Sequence, residues 1–542
     1  MEELQKNDFI ELLVTGEGTD GEGVGKVDGK TVFLRGALKG ERVRAKVILV
    51  KPRFNVAVTD KILKPSPQRI TPPCPVFGKC GGCDLQHMKY AAQLEYKRRL
   101  VKDTLLKIGG IDEYVEEVEP SLPEYGYRNK ISLPVRQFEG GALKIGLFAK
   151  NSHRVVETET CLLQNEKTAA VIPVFIRFME ESGFKGYDEQ SGEGDVRHVV
   201  AREAGGVLYV TVVACRKIDC RDLTERIRTI DPDAEIWLNV NRRRDNVILG
   251  DEWHCLKESN KPSEVENLKT HIHPAGFFQV NDYIREKLYA AVADMMKGGA
   301  AVEAYSGAGL LSAMLAKKAK IVFGIEINPQ AHEAAVKMKE LNGIDNFFPG
   351  LGDVGEKLPA VLDECAKSAP VSDIFIVLDP PRTGISQSAA DTLVKSGANN
   401  IVYVSCNPAT LARDAARLIQ GGYSPVKIKP FDMFPQTCNV ETVVLLSKGE
   451  IDSNKVRVEF SLEDMDMSGF QKGATYEQIK AYVLEHSGLK VSSLYISQVK
   501  RKCGIIERDN YNKPKSEDAK QPQCPPEKEL AIRAALEHFG MI

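Results

Sequence analysis

The sequence lacks the features that mark secreted, membrane-spanning and polycationic proteins. Within its 542 residues no uninterrupted apolar run reaches about 18 residues, so we expect no membrane-spanning helix. The first residues contain neither a basic cluster nor a sustained apolar segment, which predicts no signal peptide. The formal net charge of −2 excludes binding of nucleic acid through bulk positive charge, so such contacts must come from local basic patches. We therefore expect a cytoplasmic protein.

Cysteine, by contrast, is well represented, with 12 copies. In a reducing cytosol cysteines serve metal sites, clusters or catalysis more often than disulfides. Cys74, Cys80 and Cys83 crowd into one loop, and Cys161 is the nearest candidate for a fourth ligand, with His87 as the alternative. A zinc site usually shows two close pairs, whereas three clustered cysteines and a distant one are more typical of an iron–sulfur cluster. The pattern favours iron–sulfur and leaves zinc open.

The length predicts several domains, because one hydrophobic core does not extend over so many residues. Residues 1–65 contain short strand candidates between glycine-rich turns, which predicts an OB-like β-barrel whose basic second half binds RNA. Residues 66–268 combine the cysteine loop with the pattern of a mixed or antiparallel sheet, which predicts an α+β domain. Residues 269–449 alternate strands and helices, as in a doubly wound α/β fold. Residues 450–542 are expected to form a helical extension.

The α/β segment carries the pattern of an adenosine-binding site. The strand Ala301–Tyr305 runs into Gly307 and Gly309, which allow a nucleoside to approach the backbone closely at the first strand-to-helix turn. Glu326 ends the next strand, about 20 positions later, where an acidic side chain can accept both ribose hydroxyls. Asp353 stands where a carboxylate can meet the adenine amino group, although a simple turn aspartate explains it equally well. Together these residues predict an adenosyl cofactor.

Reactive side chains follow three later strand ends. Asp379-Pro380-Pro381-Arg382 forms a rigid turn that can hold a side chain against a flat ring. Cys406 ends a short apolar strand, and a free cysteine there is either a reactive thiol or a small buried hydrophobe. Glu441 opens an otherwise apolar strand; taken alone, it is better explained as a solvated strand end than as a functional base.

In combination these segments resemble the uridine-5 RNA methyltransferase family, which uses S-adenosylmethionine. The similarity extends over residues 1 to about 449, and several independent motifs occur in the family's order. It is greatest to the 23S ribosomal RNA members that have a TRAM barrel and a 4Fe–4S cluster, since transfer-RNA members generally lack both. Ser306 and Leu310 depart from the residues that many members have at these positions. The matching motifs are the cysteines named above, FFQVN (277–281), LDPPR (378–382), SCNP (405–408) and Glu441.

The resemblance implies a Rossmann-like class I methyltransferase fold and a role for each matching residue. Cys406 is implied to add to C6 of the target uridine, and Glu441 to remove the C5 proton, which reverses the interpretation of Glu441 taken alone. Phe277 is expected to stack on the flipped-out base. Independently of the resemblance, Arg128 is a candidate contact to the RNA phosphates, although surface solvation explains it equally well. The four cysteines are implied to hold a structural iron–sulfur cluster in a protein that acts as a monomer. The residues expected to line the cofactor or target pocket are Gln279, Tyr305, Gly307, Gly309, Glu326, Asp353 and Asp379.

Residues from about 452 onward lie outside this resemblance. A helix over 475–485, the turn at Gly488 and a basic helix ending near Cys503 are compatible with a helix-turn-helix that touches nucleic acid. Such patterns are common by chance, so a helical appendage that only packs is favoured.

Two other functions remain open from the sequence. An RNA methyltransferase that modifies amino groups also uses an Asp-Pro-Pro turn, but its chemistry has no need for Cys406 or Glu441. An RNA-binding ribosome-assembly factor with a decayed catalytic site is the other alternative, and the intact glycines, Glu326 and Cys406 argue against it.

Overall fold

The computed structural model describes residues 4–138, 140–297, 299–448, 476–489, 491–503, 524–539 and 541. The chain divides into two compact units, Met1–Ile451 and Asp452–Ile542. Among the described residues, no helix combines the length and apolarity needed to cross a bilayer.

The first unit begins with a closed barrel in the spatial order β1-β2-β3-β5-β4. Successive side chains of a strand face opposite sides, so Leu12 and Val43 point into the barrel core while Arg42 and Arg44 remain outside. The predicted OB-like barrel is confirmed, and the basic residues of β4 lie on its outer surface. Its strands are β1 (Phe9–Glu17), β2 (Gly23–Val27), β3 (Lys30–Arg35), β4 (Arg42–Val50) and β5 (Phe54–Lys64).

A long helix, α1 (Tyr90–Gly109), follows the cysteine loop and contacts the barrel. The Tyr96 hydroxyl donates to the carbonyl oxygens of Gly18 and Thr19 in the β1–β2 turn, and it accepts a hydrogen bond from the Gly21 amide. The barrel is therefore fixed to the rest of the unit by buried polar contacts as well as by packing.

The central part is built on a mixed sheet in the order β12-β11-β10-β9-β6-β7-β8, in which only β10 and β11 are parallel. Helices α2 (Glu166–Ser182) and α3 (Arg221–Ile230) cover one face through a continuous apolar cluster. A separate hairpin joins β13 and β14. The strands are β6 (Lys130–Arg136), β7 (Lys144–Phe148), β8 (Val155–Glu157), β9 (Val196–Ala204), β10 (Val207–Ala214), β11 (Glu235–Val240), β12 (Glu252–Lys257), β13 (Ser263–Val265) and β14 (Leu268–Thr270).

The last part of the first unit is a sheet of order β17-β16-β15-β18-β19-β21-β20 with apolar cores on both faces. Its first five strands are parallel, and β21 is inserted antiparallel between β19 and β20. The predicted α/β fold is confirmed. The strands are β15 (Ala300–Ala304), β16 (Ile321–Glu326), β17 (Phe347–Leu351), β18 (Ile374–Leu378), β19 (Asn400–Ser405), β20 (Ser424–Phe431) and β21 (Glu441–Ser447), and the helices are α4 (Asp282–Met295), α5 (Leu310–Ala316), α6 (Pro329–Leu341), α7 (Val354–Ala366), α8 (Gln387–Lys395) and α9 (Pro408–Gln420).

In the second unit, α10 (Tyr476–Ser487), α11 (Ser493–Lys502) and α12 (Pro526–His538) share an apolar core. Ser492 caps α11 by accepting a hydrogen bond from the Tyr495 amide. The basic end of α11 is largely engaged within the unit, because Lys502 pairs with Glu529 at 2.6 Å and Lys500 is buried. These contacts fit a packed appendage better than an open nucleic-acid surface.

Candidate active site

The antiparallel insertion of β21 brings three reactive residues to one edge of the sheet. Asp379 follows β18 and Cys406 follows β19, so both lie at the carboxyl ends of parallel strands. Because β21 runs in the opposite direction, its first residue, Glu441, lies at this same edge. The pairing of Ser405 with Thr442 places Cys406 and Glu441 immediately beyond the same rung of the ladder.

Glu441 is buried, with an exposed fraction of 2 %. The interpretation as a solvated strand end is therefore wrong, since the neighbouring strands and the segment before β21 cover the carboxyl group. Burial raises the pKa of Glu441 well above its usual value, the nearby Asp379 raises it further, and Arg382 opposes them. Burial also raises the pKa of Asp379 to about 7. Two facing carboxyl groups do not ionise together readily, so the pair retains a proton near neutral pH.

The neighbours of Cys406 have opposing effects on the pKa of its thiol. Burial and the charge of Glu441 raise its pKa to about 11, while Arg382, which hydrogen-bonds the sulfur, lowers it. The resting protein therefore holds the thiol form, and Arg382 is the cation that favours the nucleophilic thiolate. Sequence reasoning named the LDPPR motif but missed this role, because Arg382 and Cys406 are 24 positions apart in the chain and no local pattern indicates their contact.

The segment that leads into Glu441 is held from several sides. Gln436 adopts a left-handed backbone conformation (φ 69°) that is costly for a residue other than glycine. The backbone amides of Asp84 and Leu85, in the cysteine loop, both donate to its carbonyl oxygen at 3.0 Å. The side chain of Gln93 accepts from its amide and donates to its side-chain oxygen. The contacts fix the backbone five residues before the buried carboxyl group.

A buried ion pair anchors the start of that segment. The Lys97 ammonium donates to Asp432 at 2.5 Å and to the Phe434 carbonyl oxygen at 2.9 Å. Both charged side chains have an exposed fraction of 0 %. Removing either partner would leave an uncompensated charge in the interior.

The glycine turn after β15 lies beside the acidic end of β16. The amide of Gly307 donates to Glu326 at 2.8 Å, so the glycine turn and the acidic strand end are direct neighbours. A side chain at Gly309 would collide with Phe347, whereas at Gly307 it would meet nothing within 4 Å. The space beside Gly307 is therefore open to a ligand. Tyr305 has a left-handed conformation (φ 68°) at the end of β15, which is typical of strain held at a binding site.

Two further residues differ in how well they fit the expected cofactor contacts, and a third, acidic residue was not expected here. Gln279 is buried near this edge, and its backbone carbonyl accepts from Asn129. Asp353 is exposed and caps α7 through the Gly355 amide, so the structure gives it a helix-capping role whether or not it also meets adenine. Glu303 was missed by sequence reasoning: it is buried in β15, hydrogen-bonds Ser312, and burial raises its pKa to about 8. An acidic residue within an apolar strand was the available signal.

The thiol opens into a cavity of about 720 Å³. Arg382, Cys406 and Asn439 line one side of it, the β1–β2 turn of the barrel lines another, and Arg99 of α1 lies between them. A second thiol, that of Cys438, lines the same cavity. A large substrate that enters here would touch the barrel and reach Cys406 together.

The cysteines predicted to bind a cluster come together around one cavity of about 40 Å³, lined by Cys74, Cys80, Cys83 and Cys161. Cys161 lines this cavity and His87 does not; the ring of His87 packs against Phe77. Burial raises the pKa of the Cys83 thiol to about 12. Among the described residues, no His, Cys, Asp or Glu side chains form a group placed to hold a single metal ion.

Comparison with known proteins agrees with this arrangement. Residues 264–449 match the family model of tRNA (uracil-5-)-methyltransferases, and residues 3–57 match that of the TRAM domain. The chain is similar to an RNA methyltransferase of Clostridium tetani, with 38% identity over 82% of this chain and 97% of the relative. It is 37% identical to an RNA methyltransferase of Halalkalibacterium halodurans, over 82% of this chain and 98% of that protein.

A solved structure is similar over nearly the whole first unit. The tRNA (uracil-54, C5)-methyltransferase of Pyrococcus abyssi, in complex with S-adenosyl-L-homocysteine, superposes with a TM-score of 0.65 and 28% identity. The superposition covers 80% of this chain and 99% of that one. The predicted family and fold are thereby confirmed. These relatives, together with the thiol, the buried acid and the glycine turn at one sheet edge, show that the chain belongs to the S-adenosylmethionine-dependent RNA (uracil-5-)-methyltransferase family.

Proposed function

We propose that the protein methylates C5 of a uridine in RNA through a covalent bond between Cys406 and C6 of the base. The observation that carries this proposal is the meeting of a thiol, an arginine and a buried carboxyl group at one sheet edge. C5 of uracil is a poor nucleophile by itself. Methyl transfer to this carbon therefore needs both a nucleophile and a base, whereas transfer to an amino group needs neither.

The reaction begins when the Cys406 thiolate adds to C6, and the electron pair of the C5–C6 double bond moves toward C5 and the C4 carbonyl oxygen. When bound, S-adenosylmethionine supplies an electrophilic methyl group, which C5 accepts. Glu441, as the carboxylate, then takes the C5 proton. The electrons of that C–H bond restore the double bond, and Cys406 leaves as the thiolate.

The chain's own groups fit an adenosyl cofactor. Glu326 would accept the ribose hydroxyls, and the open space at Gly307 would admit the nucleoside close to the backbone. Asp353 would receive the adenine amino group. We assign the remaining positions of the cofactor and target pocket to Gln279, Tyr305, Gly309 and Asp379.

We further propose that Cys74, Cys80, Cys83 and Cys161 hold a 4Fe–4S cluster. Four thiols around one cavity are a suitable donor set, and a cluster spans a wider space than one zinc ion, for which no compact group exists among the described residues. The loop that bears these cysteines also donates to Gln436, so the cluster would stabilise the segment that carries Glu441. Iron and acid-labile sulfide measured in anaerobically purified protein test the assignment, and stoichiometric zinc would contradict it.

For the substrate we propose 23S ribosomal RNA, on the basis of the barrel, the cysteine loop and their resemblance to the ribosomal members. Phe277, with an exposed fraction of 68 %, would stack on a base, and Arg128, which pairs with the nearby Asn281, would contact the RNA. The similar Pyrococcus abyssi protein is named for a transfer-RNA target. Mass spectrometry of ribosomal and transfer RNA from a strain that lacks the protein decides between them through the fraction that loses 5-methyluridine.

The mechanism predicts a trapped intermediate. RNA that contains 5-fluorouridine should form a stable adduct with the wild-type protein in the presence of S-adenosylmethionine, because fluorine cannot leave C5 as a proton. The adduct is detected as a band shift on a denaturing gel. Cys406→Ala should form none.

Cys438→Ala is the matched control, since Cys438 lines the same cavity but has no assigned role in the reaction. It should trap RNA as well as the wild type. Trapping by Cys406→Ala would refute the proposed nucleophile. Methylation without any adduct in the wild type would favour transfer to an amino group.

A further inference from the structure

Two cations share one face of the central sheet, beside the loop that bears Phe277, and a third cation lies just before them in the chain. Lys130 in β6 is the direct cross-strand partner of Arg202 in β9, so both side chains lie on the same face. Side chains paired in this way have their Cβ atoms about 4.5–5.5 Å apart. Arg128 precedes Lys130 by two residues, and its Nε donates to the Lys130 carbonyl oxygen at 3.2 Å.

Among the residues that the structure describes, none supplies a carboxylate that forms an ion pair with these cations. Burial, together with the positive charges of Arg202 and Arg128, lowers the pKa of Lys130 to about 7. The guanidinium of Arg202 is 3 % exposed; one nitrogen donates to the Gly276 carbonyl oxygen at 2.8 Å, and Nε has no hydrogen-bond partner. The nearby acids are occupied elsewhere, because Glu203 bonds Asn165, and Asp282 bonds Asn129 and Arg285.

Like charges placed directly opposite each other in a sheet are unfavourable, and a buried donor without an acceptor adds to the cost. The Lys130–Arg202 pair does not contribute favourably to the folded state by itself, but an anion placed against it would remove the repulsion. Gly276, which accepts from Arg202, immediately precedes the exposed ring of Phe277. An exposed aromatic ring beside unpaired cations is the combination that proteins use to stack a base and hold its phosphate.

We propose that Lys130 and Arg202, together with Arg128, bind a phosphodiester of the RNA backbone next to the target uridine. The site deepens the proposed function and rests on it, because it takes RNA as the substrate. Lys130, which is only half-buried, supplies the direct contact. Arg202 lies behind it and increases the positive potential.

The first test measures RNA affinity over a salt series with a single-stranded RNA that contains one central 5-fluorouridine, without S-adenosylmethionine. For single strands, each phosphate contact contributes about 0.7 to the slope of log affinity against log salt. Lys130→Met should lower affinity several-fold at low salt and reduce the slope by about this amount. Lys130→Arg should retain the slope. The matched control, Lys144→Met, removes an exposed lysine of β7 in the same sheet and should change neither quantity.

The second test locates the phosphate. A neutral methylphosphonate replaces one phosphate at a time on either side of the 5-fluorouridine. At one of these positions the substitution should weaken binding to the wild type and have no further effect on Lys130→Met. If the methylphosphonate at every position weakens binding to Lys130→Met as much as it weakens binding to the wild type, Lys130 affects only the structure of the protein and does not contact a phosphate.

The outcomes separate this site from the proposed reaction. If the wild type binds and traps the RNA while Lys130→Met keeps the full salt slope, the phosphate site is wrong and the proposed function stands. If no adduct forms yet the slope falls in Lys130→Met, the reaction is wrong and the binding site stands. If the wild type binds no RNA, both are wrong.

Discussion

Lys97 and Lys130 are lysines of the same unit in opposite electrostatic surroundings. Lys97 is fully buried and paired with Asp432, whereas Lys130 faces two arginines. A lysine paired with a carboxylate satisfies the fold. A lysine surrounded by cations raises the free energy of the fold and is better explained by a ligand. The contrast shows that the charge of the neighbours, more than burial, separates a structural lysine from a functional one.

The largest effect is expected from the removal of Lys97, the structural lysine of the two. Lys97→Met should lower the free energy of unfolding by about 3–5 kcal/mol, because Asp432 would remain as an unpaired buried charge. Urea unfolding followed by the fluorescence of Trp237 and Trp253, which lie in the same unit, measures the loss. Lys130→Met should stay within about 0.5 kcal/mol of the wild type. The double variant Lys97→Met/Asp432→Asn should recover much of the loss, and equal destabilisation by Lys97→Met and Lys130→Met would remove the distinction.

A second prediction extends the comparison to Arg382, a cation whose partner is a thiol. Arg382 lowers the pKa of Cys406, so Arg382→Met should raise that pKa further. One unit of pKa corresponds to about tenfold less thiolate at any pH below the pKa. We therefore expect adduct formation with 5-fluorouridine RNA to slow by about tenfold between pH 7 and pH 9. Arg228→Met, at an exposed position of α3, should retain the wild-type rate, and an unchanged profile in Arg382→Met would show that the guanidinium does not act on the thiol.

The smallest expected effect is the pH dependence of RNA binding. In the free protein the pKa of Lys130 is about 7, below its usual value, and a bound phosphate would raise it. Binding above pH 7 then takes up a proton, so the affinity of the wild type should fall by several-fold between pH 7 and pH 8.5. Arg202, whose pKa burial lowers to about 10, stays charged in this range, and His273, close to Arg202, has a pKa that burial lowers and stays neutral. Lys130→Arg should show a flat profile in the same titration, and a parallel fall in that variant would assign the dependence to another group.

Much of the fold and of the site could be predicted from the sequence, because each signal is local. Short strand candidates between glycine-rich turns predicted the barrel, and the turn around Gly307 with Glu326 predicted an adenosyl site whose two parts are hydrogen-bonded neighbours. Glu441 shows the limit of local signals. Its position at the start of an apolar strand indicates solvent, whereas strand order and direction bury it.

The contacts that the sequence did not reveal join distant segments. Lys97 and Asp432 are 335 residues apart. Lys130 and Arg202 are matched only by the register of two antiparallel strands, and a shift of one residue would place their side chains on opposite faces. Neither pairing leaves a periodic or compositional trace in the chain.

By itself, the sequence determined the kinds of chemical group present and their local conformation: a thiol after a strand, glycines at a turn, and three cysteines in one loop with a fourth farther along the chain. The tertiary structure decided which of these groups meet. The antiparallel direction of β21 places Glu441 beside Cys406, and the register of β6 with β9 leaves Lys130 without an anion. The physical reason is that backbone hydrogen bonds fix register and direction between strands, and these two quantities determine which side chains share a face and an edge.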